Sequence, residues 1–313
     1  MTTAIIGGGI NGLYLAWKLA EMGQEITVFE RKTKIGKQVC SGLFSERILE
    51  FVPQSKKLIQ NQIQSVLIHF PKRTLRVEFS RNFFVMSHFE LDNLVADSAK
   101  MAGAKILLQQ NISSSNVEQM EKEFDRIIGC DGYDSAVRKY LGLKNPDFRF
   151  TIQGFLAKKD SSNYVETWPQ KPGFIWKIPR GTETEYGIIS YPKSAKPLFD
   201  EFLSKNNLQL ERIQSSIIPQ GFITPSHSSI TLCGDAAGLT KSWSGGGVVW
   251  GLLAASILLK NFPDFLKYKN KVKKFFLPKI ILSRIATKMV YFLGFHFPWF
   301  LPKNVKIEGD FLL

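Results

Sequence analysis

The chain has 313 residues, 44% of them hydrophobic, 24 glycines and a formal net charge of +14. That is enough apolar material for one large domain or two closely joined ones, and there is no collagen-like or low-complexity period. Cys40, Cys130 and Cys233 and the four histidines are scattered without ligand spacing, which argues against a disulfide framework and a metal site and for a reducing compartment.

In chain order, residues 3–31, "TAIIGGGINGLYLAWKLAEMGQEITVFER", read as a β-α-β unit: a buried strand ending at Gly7, a helix over about 10–22, and the strand "EITVFE". The apolar start is thus a first strand, not a signal peptide. Residues 31–62 mix turns and short helices. "SVLIHF", "TLRVEF" and "FFVMS" make 63–90 β-rich. "FELDNLVADSAKMAGA" reads as a helix, and "KILLQ" and "DRIIGC" as strands returning to the first sheet. Aromatic-rich strands between 150 and 190 fit an antiparallel sheet in a second lobe. A polar helix at 195–206 follows, after which "SITLCGD" leads back. The expected division is a nucleotide-binding lobe of 1–62, 88–149 and 228–260, a second lobe of 63–87 and 150–227, and a C-terminal region of 261–313.

Three turns in this layout carry chemistry. Gly7, Gly9 and Gly12 stand in G-x-G-x-x-G spacing between strand and helix: the first permits the turn, the second lets backbone approach a pyrophosphate, the third lets helix and strand pack closely. Glu30 ends the next strand, where an acid accepts hydrogen bonds from a ribose, with Arg31 beside it. In "CDGYDSAVR", Asp131 and Gly132 follow a strand and Arg138 lies on a short helix. The bland alternative there is Asp131 as a helix cap with Arg138 on a solvated face. In "CGDAAGLTKSWSGGG", Gly234 and Asp235 precede helix amides, and Gly245, Gly246 and Gly247 offer a second close approach before "VVWGLLAASILL". A long cofactor with a central phosphate and a flat ring uses all three turns, and FAD fits that description better than nicotinamide alone. The fold class is therefore α/β: a Rossmann-like FAD-binding lobe, an antiparallel β-sheet substrate lobe and a C-terminal helical segment.

The order of these motifs resembles the flavoprotein monooxygenase superfamily of the para-hydroxybenzoate hydroxylase type, and within it the geranylgeranyl reductase branch, from Met1 to about Leu259. "CSG" at 40–42 resembles that branch's cysteine loop near the flavin, "FIWKIPR" at 174–180 followed by Gly187 its Trp-Pro signature, and "SGGG" at 244–247 its glycine turn beside the flavin ring. Departures are Ser242 for a common proline, His88 for a common arginine, Ile178 for the second aromatic and Arg180 for lysine. The resemblance implies reduced FAD giving hydride to an isoprenoid double bond, with the external donor open between NAD(P)H and a ferredoxin-like protein. Cys40 is the implied proton donor or redox switch, against the reading of a small buried hydrophobe. Phe174 and Trp176 would line a tunnel for a long-chain isoprenoid lipid, with Phe155 and Trp168 as neighbours, and Arg180 would either meet a phosphate head group or stand as a solvent-facing turn residue. Phe174, Trp176 and Ile178 share one strand face, which is also an ordinary core pattern. The alternatives are an aromatic monooxygenase using NAD(P)H and O2, or a lipid-binding flavoprotein without catalysis.

From Lys260 to Lys288 there are nine Lys/Arg and one acid, Asp264, interleaved with bulky apolar residues. This pattern suits a helix lying on an anionic membrane surface rather than spanning it. A capping helix with a solvated basic face is the competing reading. No reading module accompanies the charge, so nucleic acid is not expected. A cytoplasmic protein peripherally bound to membrane is the resulting expectation.

Overall fold

A computed structural model of the chain describes residues 1–37 and 39–310. The elements run β1 (Thr2–Ile6), α1 (Ile10–Glu21), β2 (Glu25–Phe29), β3 (Leu43–Ser45), α2 (Ile48–Phe51), β4 (Ile59–Phe70), β5 (Arg73–Met86), α3 (His88–Met101) and β6 (Lys105–Leu107). Next come α4 (Ser114–Glu123), β7 (Arg126–Gly129), α5 (Ala136–Tyr140), β8 (Asp147–Leu156), β9 (Tyr164–Pro169), β10 (Phe174–Pro179), β11 (Thr184–Ser190) and α6 (Pro192–Lys205). The chain ends with β12 (Glu211–Gln220), β13 (Ile230–Leu232), α7 (Val248–Asn261), α8 (Phe265–His296) and β14 (Asn304–Ile307).

The first of two compact units comprises Met1–Gln38, His88–Asp147 and Pro219–Ile280. Its five-stranded sheet has the order β13-β7-β1-β2-β6, every pair parallel. Such strands are covered on both faces and so read as unbroken apolar runs: Ala4, Ile5, Ile127, Ile128, Ile230 and Leu232 are all at most 1% exposed. Helix α1 packs on this sheet and α7 packs on α1, with Leu13, Leu19, Trp250 and Leu258 all fully buried.

The second unit comprises Val39–Ser87, Phe148–Ile218 and Ile281–Leu313. Its sheet has the order β12-β8-β11-β10-β9-β4-β5-β14, with β3 also on β5. Alternation along β10 divides two cores. Trp176 and Ile178 pack with Ile63, Val85 and Val165 on one face, while Ile175 packs with Tyr186, Ile188 and Phe199 of α6 on the other.

Several expectations need correction. Residues 39–62 belong to the second unit, because Leu43–Ser45 pairs with β5 and β4 begins at Ile59. The three short strands read between 65 and 87 are one long hairpin of β4 and β5, whose register shifts between Ile59 and Asn61 and again between Ile63 and Ser65. The second sheet is mixed: β4–β9 and β5–β14 are parallel. Strands β12 and β14 and helix α4, closed by a Ser113 capping box, had no counterpart in the sequence reading. Residues 261–313 are not a separate region, since α8 divides between the units at Ile280. No helix among the described residues is long and apolar enough to cross a membrane.

Candidate functional site

Strands β13, β7 and β1 are neighbours, so the three turns that follow them lie side by side at one edge of the sheet. With strands ~4.8 Å apart, the outer two are within about 10 Å, and the carboxyl edge of such a sheet is where these folds bind ligands. Gly7 has φ +109°, and a Cβ there would meet the Cys130 carbonyl oxygen at 2.3 Å. A Cβ on Gly12 would lie 2.1 Å from the Gly7 carbonyl oxygen, whereas on Gly9 it would meet nothing within 4 Å. The first and third glycines are therefore required by the fold, and the second opens onto free space above the start of α1.

Glu30 is 8% exposed and accepts from Gly8 N at 2.8 Å and from Lys32 N at 2.9 Å, one bond to each oxygen. Both oxygens keep a lone pair for a ribose hydroxyl. Arg31 is exposed beside it. Asp131 Oδ2 accepts from Ala136 N at 2.6 Å, capping α5, while Oδ1 is buried with no partner among the described residues. Burial raises the pKa of this carboxyl, opposed by bonds from Ser135 and the α5 amides. Asn11 Oδ1, in the first turn of α1, is likewise buried and unpartnered. Gly234 (φ +64°) and Gly251 close on Asn11: a Cβ on either would come within 2.4 Å of its amide. Asp235, half-buried on the short 3-10 turn Gly234–Ala237, has Lys37 Nζ at 3.5 Å. Lys37 N donates to Asp92, which itself pairs with buried His88 at 3.3 Å. The loop to α7 closes through Gly245 N donating to Lys241 O and Lys241 N to Gly246 O. Gly245 has φ +72° and Gly247 is the N-cap of α7. Gly132 takes φ +77°.

Arg138 departs from its expected role. It is fully buried and donates to the carbonyls of Ala236 (2.8 Å) and Tyr133 and to Asn145 Oδ1. Its guanidinium ties the second turn to the third; it is neither on a solvated face nor presented to a phosphate. Burial lowers its pKa, with Asp131 acting in the opposite direction.

In the second unit, Gly42 N donates to Cys40 Sγ at 3.4 Å, and Gln153 Nε2 to Cys40 O at 3.4 Å. Arg180 does not project toward solvent. It pairs with Glu185 Oε2 at 2.6 Å and donates to Ser41 O at 2.7 Å, and Glu185 Oε1 accepts from Trp176 Nε1 at 2.9 Å. Glu185 is fully buried; desolvation raises its pKa despite Arg180. The indole of Trp176 lies over Gly187, its cross-strand partner, where a Cβ would meet the ring at 2.2 Å. At φ +63°, a Cβ on Gly42 would be 2.3 Å from Met86 O. The Trp-Pro-Arg segment is thus a frame that holds the C-S-G loop.

Of the expected tunnel residues, Trp176 is core, 7% exposed. Phe174 and Phe155 are half-buried on the same sheet face, with Phe155 directly opposite Glu185. Trp168 is on the other face, stacked on His69 and packed on Phe202 of α6. Asn11, Lys37, Gln153 and Glu185 were not singled out from sequence. Only Asn11, inside the glycine motif, carried a local signal.

A family model described as an NAD(P)-binding Rossmann-like domain matches residues 5–54. The chain is 24% identical over 294 residues to a digeranylgeranylglycerophospholipid reductase of Methanothrix thermoacetophila, covering 81% of this chain and 75% of that protein. The structure superposes on a geranylgeranyl bacteriochlorophyll reductase-like protein of Thermoplasma acidophilum with TM-score 0.78 and 20% identity, covering 92% of this chain and 87% of the other. It superposes on BrvH, a flavin-dependent halogenase of a Brevundimonas species, with TM-score 0.72 and 12% identity over 93% and 78%. The fold is thus the Rossmann-like oxidoreductase fold that prenyl-reductase-like proteins and flavin halogenases share.

Proposed function

We propose that the chain is a FAD-dependent reductase that saturates carbon–carbon double bonds in a geranylgeranyl-type lipid or precursor. The observation that supports this reading most is the buried Trp176–Glu185–Arg180–Ser41 chain of bonds holding the Cys40-Ser41-Gly42 loop. The first unit suits the cofactor: Glu30 has lone pairs to spare for a ribose, Gly9 leaves room for a pyrophosphate, and the orphaned oxygens of Asn11 and Asp131 accept hydroxyl donors. Bound FAD supplies hydride chemistry, renewed by NAD(P)H or a ferredoxin-like protein.

The remaining work falls to the protein. The alkene carbon that does not receive hydride must receive a proton. The thiol of Cys40 is the group of the C-S-G loop that can carry one, at Sγ. Gly42 N–H, 3.4 Å away, stabilises the sulfur once its proton has left. Phe155 and Phe174 offer apolar contact to a chain that gains roughly 0.8 kcal/mol per buried CH2.

Dithionite-reduced protein mixed anaerobically with prenyl lipids should raise lipid mass by two hydrogens per bond. Substrate-triggered O2 uptake with a hydroxylated product would select a monooxygenase instead. Loss of every mass change while FAD stays bound would leave a lipid-binding flavoprotein. Cys40→Ala should lower saturation at least tenfold with FAD retained, and unchanged turnover would remove Cys40 from the chemistry.

A further inference from the structure

The C-terminal half of α8 is oriented against the usual rule for a surface helix. Its inward face mixes small, polar and aromatic residues, with Tyr291 and Phe295 edge-on to Phe70. Ser283 is 1% exposed, Tyr291 donates from its hydroxyl to Gly173 O at 3.0 Å, and Gly294 sits under the Phe70 ring, which a Cβ would meet at 2.2 Å. The outward face is apolar. Leu282, Ile285, Met289 and Phe292 follow one another at helical spacing and are 54–63% exposed, and Trp299 (63%) and Phe300 (70%) continue the stripe past the helix end. Water should be lined by polar groups at such positions. The anchoring on Phe70 and Gly173 fixes this rotation, so the apolar face is not an accident of a loosely placed helix. Exposed Arg284 and Lys288 flank the stripe.

Beside Trp299 lies a cavity of about 600 Å3 lined by Lys72, Arg73, Arg76 and Lys303. Parallel pairing of β14 with β5 places it, because the bond from Arg76 N to Lys303 O lays the 298–303 turn against the tip of the β4–β5 hairpin. Arg76 has Glu78 at 3.7 Å, but no carboxylate among the described residues lines the cavity. Arg73 Nε is buried and has no hydrogen-bond partner among the described residues. Two guanidinium and two ammonium groups around one hollow are a phosphate-binding arrangement.

Aromatic side chains exposed at the rim of a cationic hollow match the interface of an anionic bilayer, with acyl chains below and phosphates at ring height. A second copy of this chain would bring cations against cations, and nucleic acid offers nothing to the apolar stripe. We propose that Ile285, Met289, Phe292, Trp299 and Phe300 enter the surface of an anionic phospholipid layer while Lys72, Arg73, Arg76 and Lys303 seat a lipid phosphate.

The test is co-sedimentation of the full chain with vesicles of phosphatidylglycerol and phosphatidylcholine, or of phosphatidylcholine alone, in low and high salt. Its readout needs neither FAD nor turnover, so it stands or falls apart from the reductase reading. Wild type should partition at least tenfold better onto the anionic vesicles, and salt should erase most of that difference. Lys72→Gln with Lys303→Gln, both at exposed positions, should cost about 30-fold on anionic vesicles and little on neutral ones. Trp299→Glu with Phe300→Glu should abolish binding to either, with circular dichroism unchanged in both double variants. Three results would overturn the proposal. One is equal partition by wild type and variants. Another is inorganic phosphate filling the cavity while vesicles bind without it. The third is a concentration-dependent dimer, dissolved by Trp299→Glu, in a protein that ignores vesicles.

Discussion

Gly9→Glu should fold as well as the wild type and fail to bind FAD, whereas Gly12→Val should damage the fold itself. Both lie in one motif, and the structure separates their roles. Gly9 has ordinary extended backbone (φ −88°, ψ 176°) and an unobstructed Cβ direction, so a side chain there costs the apo-protein little. It would, however, occupy the approach to the α1 amides and place a carboxylate near a pyrophosphate. Two like charges at ~4 Å repel by about 4 kcal/mol in a protein-surface dielectric, a loss on the order of 10^3 in affinity. A Cβ on Gly12, by contrast, would lie 2.1 Å from the Gly7 carbonyl oxygen and 3.2 Å from Cys130 Cβ. Valine must push α1 off β1, a cost of ~3 kcal/mol. Flavin titration of the apo-proteins and urea unfolding separate the two. If Gly9→Glu takes up FAD with wild-type affinity, the first turn is not the pyrophosphate site.

The same contrast shows what a sequence can disclose. The glycine spacing, "CDG" and "GDAAG" were legible because each is local, a strand end followed by a turn, and because three parallel strands placed consecutively in the sheet bring their ends together without further information. Roles set by long-range pairing were not legible. Arg138 reads as a cofactor-side or solvated cation until its bonds to Ala236 O and Asn145 Oδ1 are seen. Trp168 and Trp176 look alike in sequence, yet Trp168 lies opposite Ile175 in the register and so falls on the α6 face. Residues 39–62 carry no periodicity of their own, and it is the pairing of Leu43–Ser45 and of Ile59–Gln62 with β5 that gives them to the second unit. Glu185 reads as one more acid between Thr184 and Tyr186; its register opposite Phe155 and Ile178 is what buries it.

Because Glu185 is buried on that register, removing it should have the second large effect. Glu185→Leu would leave the Arg180 guanidinium, whose side chain is 8% exposed, without its counter-charge, and the Trp176 indole N–H without an acceptor. Breaking one side of a buried pair costs about 3–5 kcal/mol, because the surviving charge stays desolvated. Burial already raises the Glu185 pKa against the pull of Arg180, so the pair as a whole contributes little beyond an apolar replacement. It follows that Arg180→Leu combined with Glu185→Leu should recover most of the lost stability in urea unfolding, to within ~1–2 kcal/mol of wild type. Activity should not recover with it. The double variant has no donor for Ser41 O, which Arg180 supplies at 2.7 Å, so the loop carrying Cys40 is released while the sheet beneath it stays folded. Saturation of prenyl lipid should therefore remain at least tenfold down in both single and double variants, and Glu185→Gln, which keeps an acceptor for Trp176, should lie between. Losses in stability that simply add in the double variant would mean that Arg180 and Glu185 act independently. A double variant that is both stable and fully active would mean that the frame around the C-S-G loop has no part in the reaction.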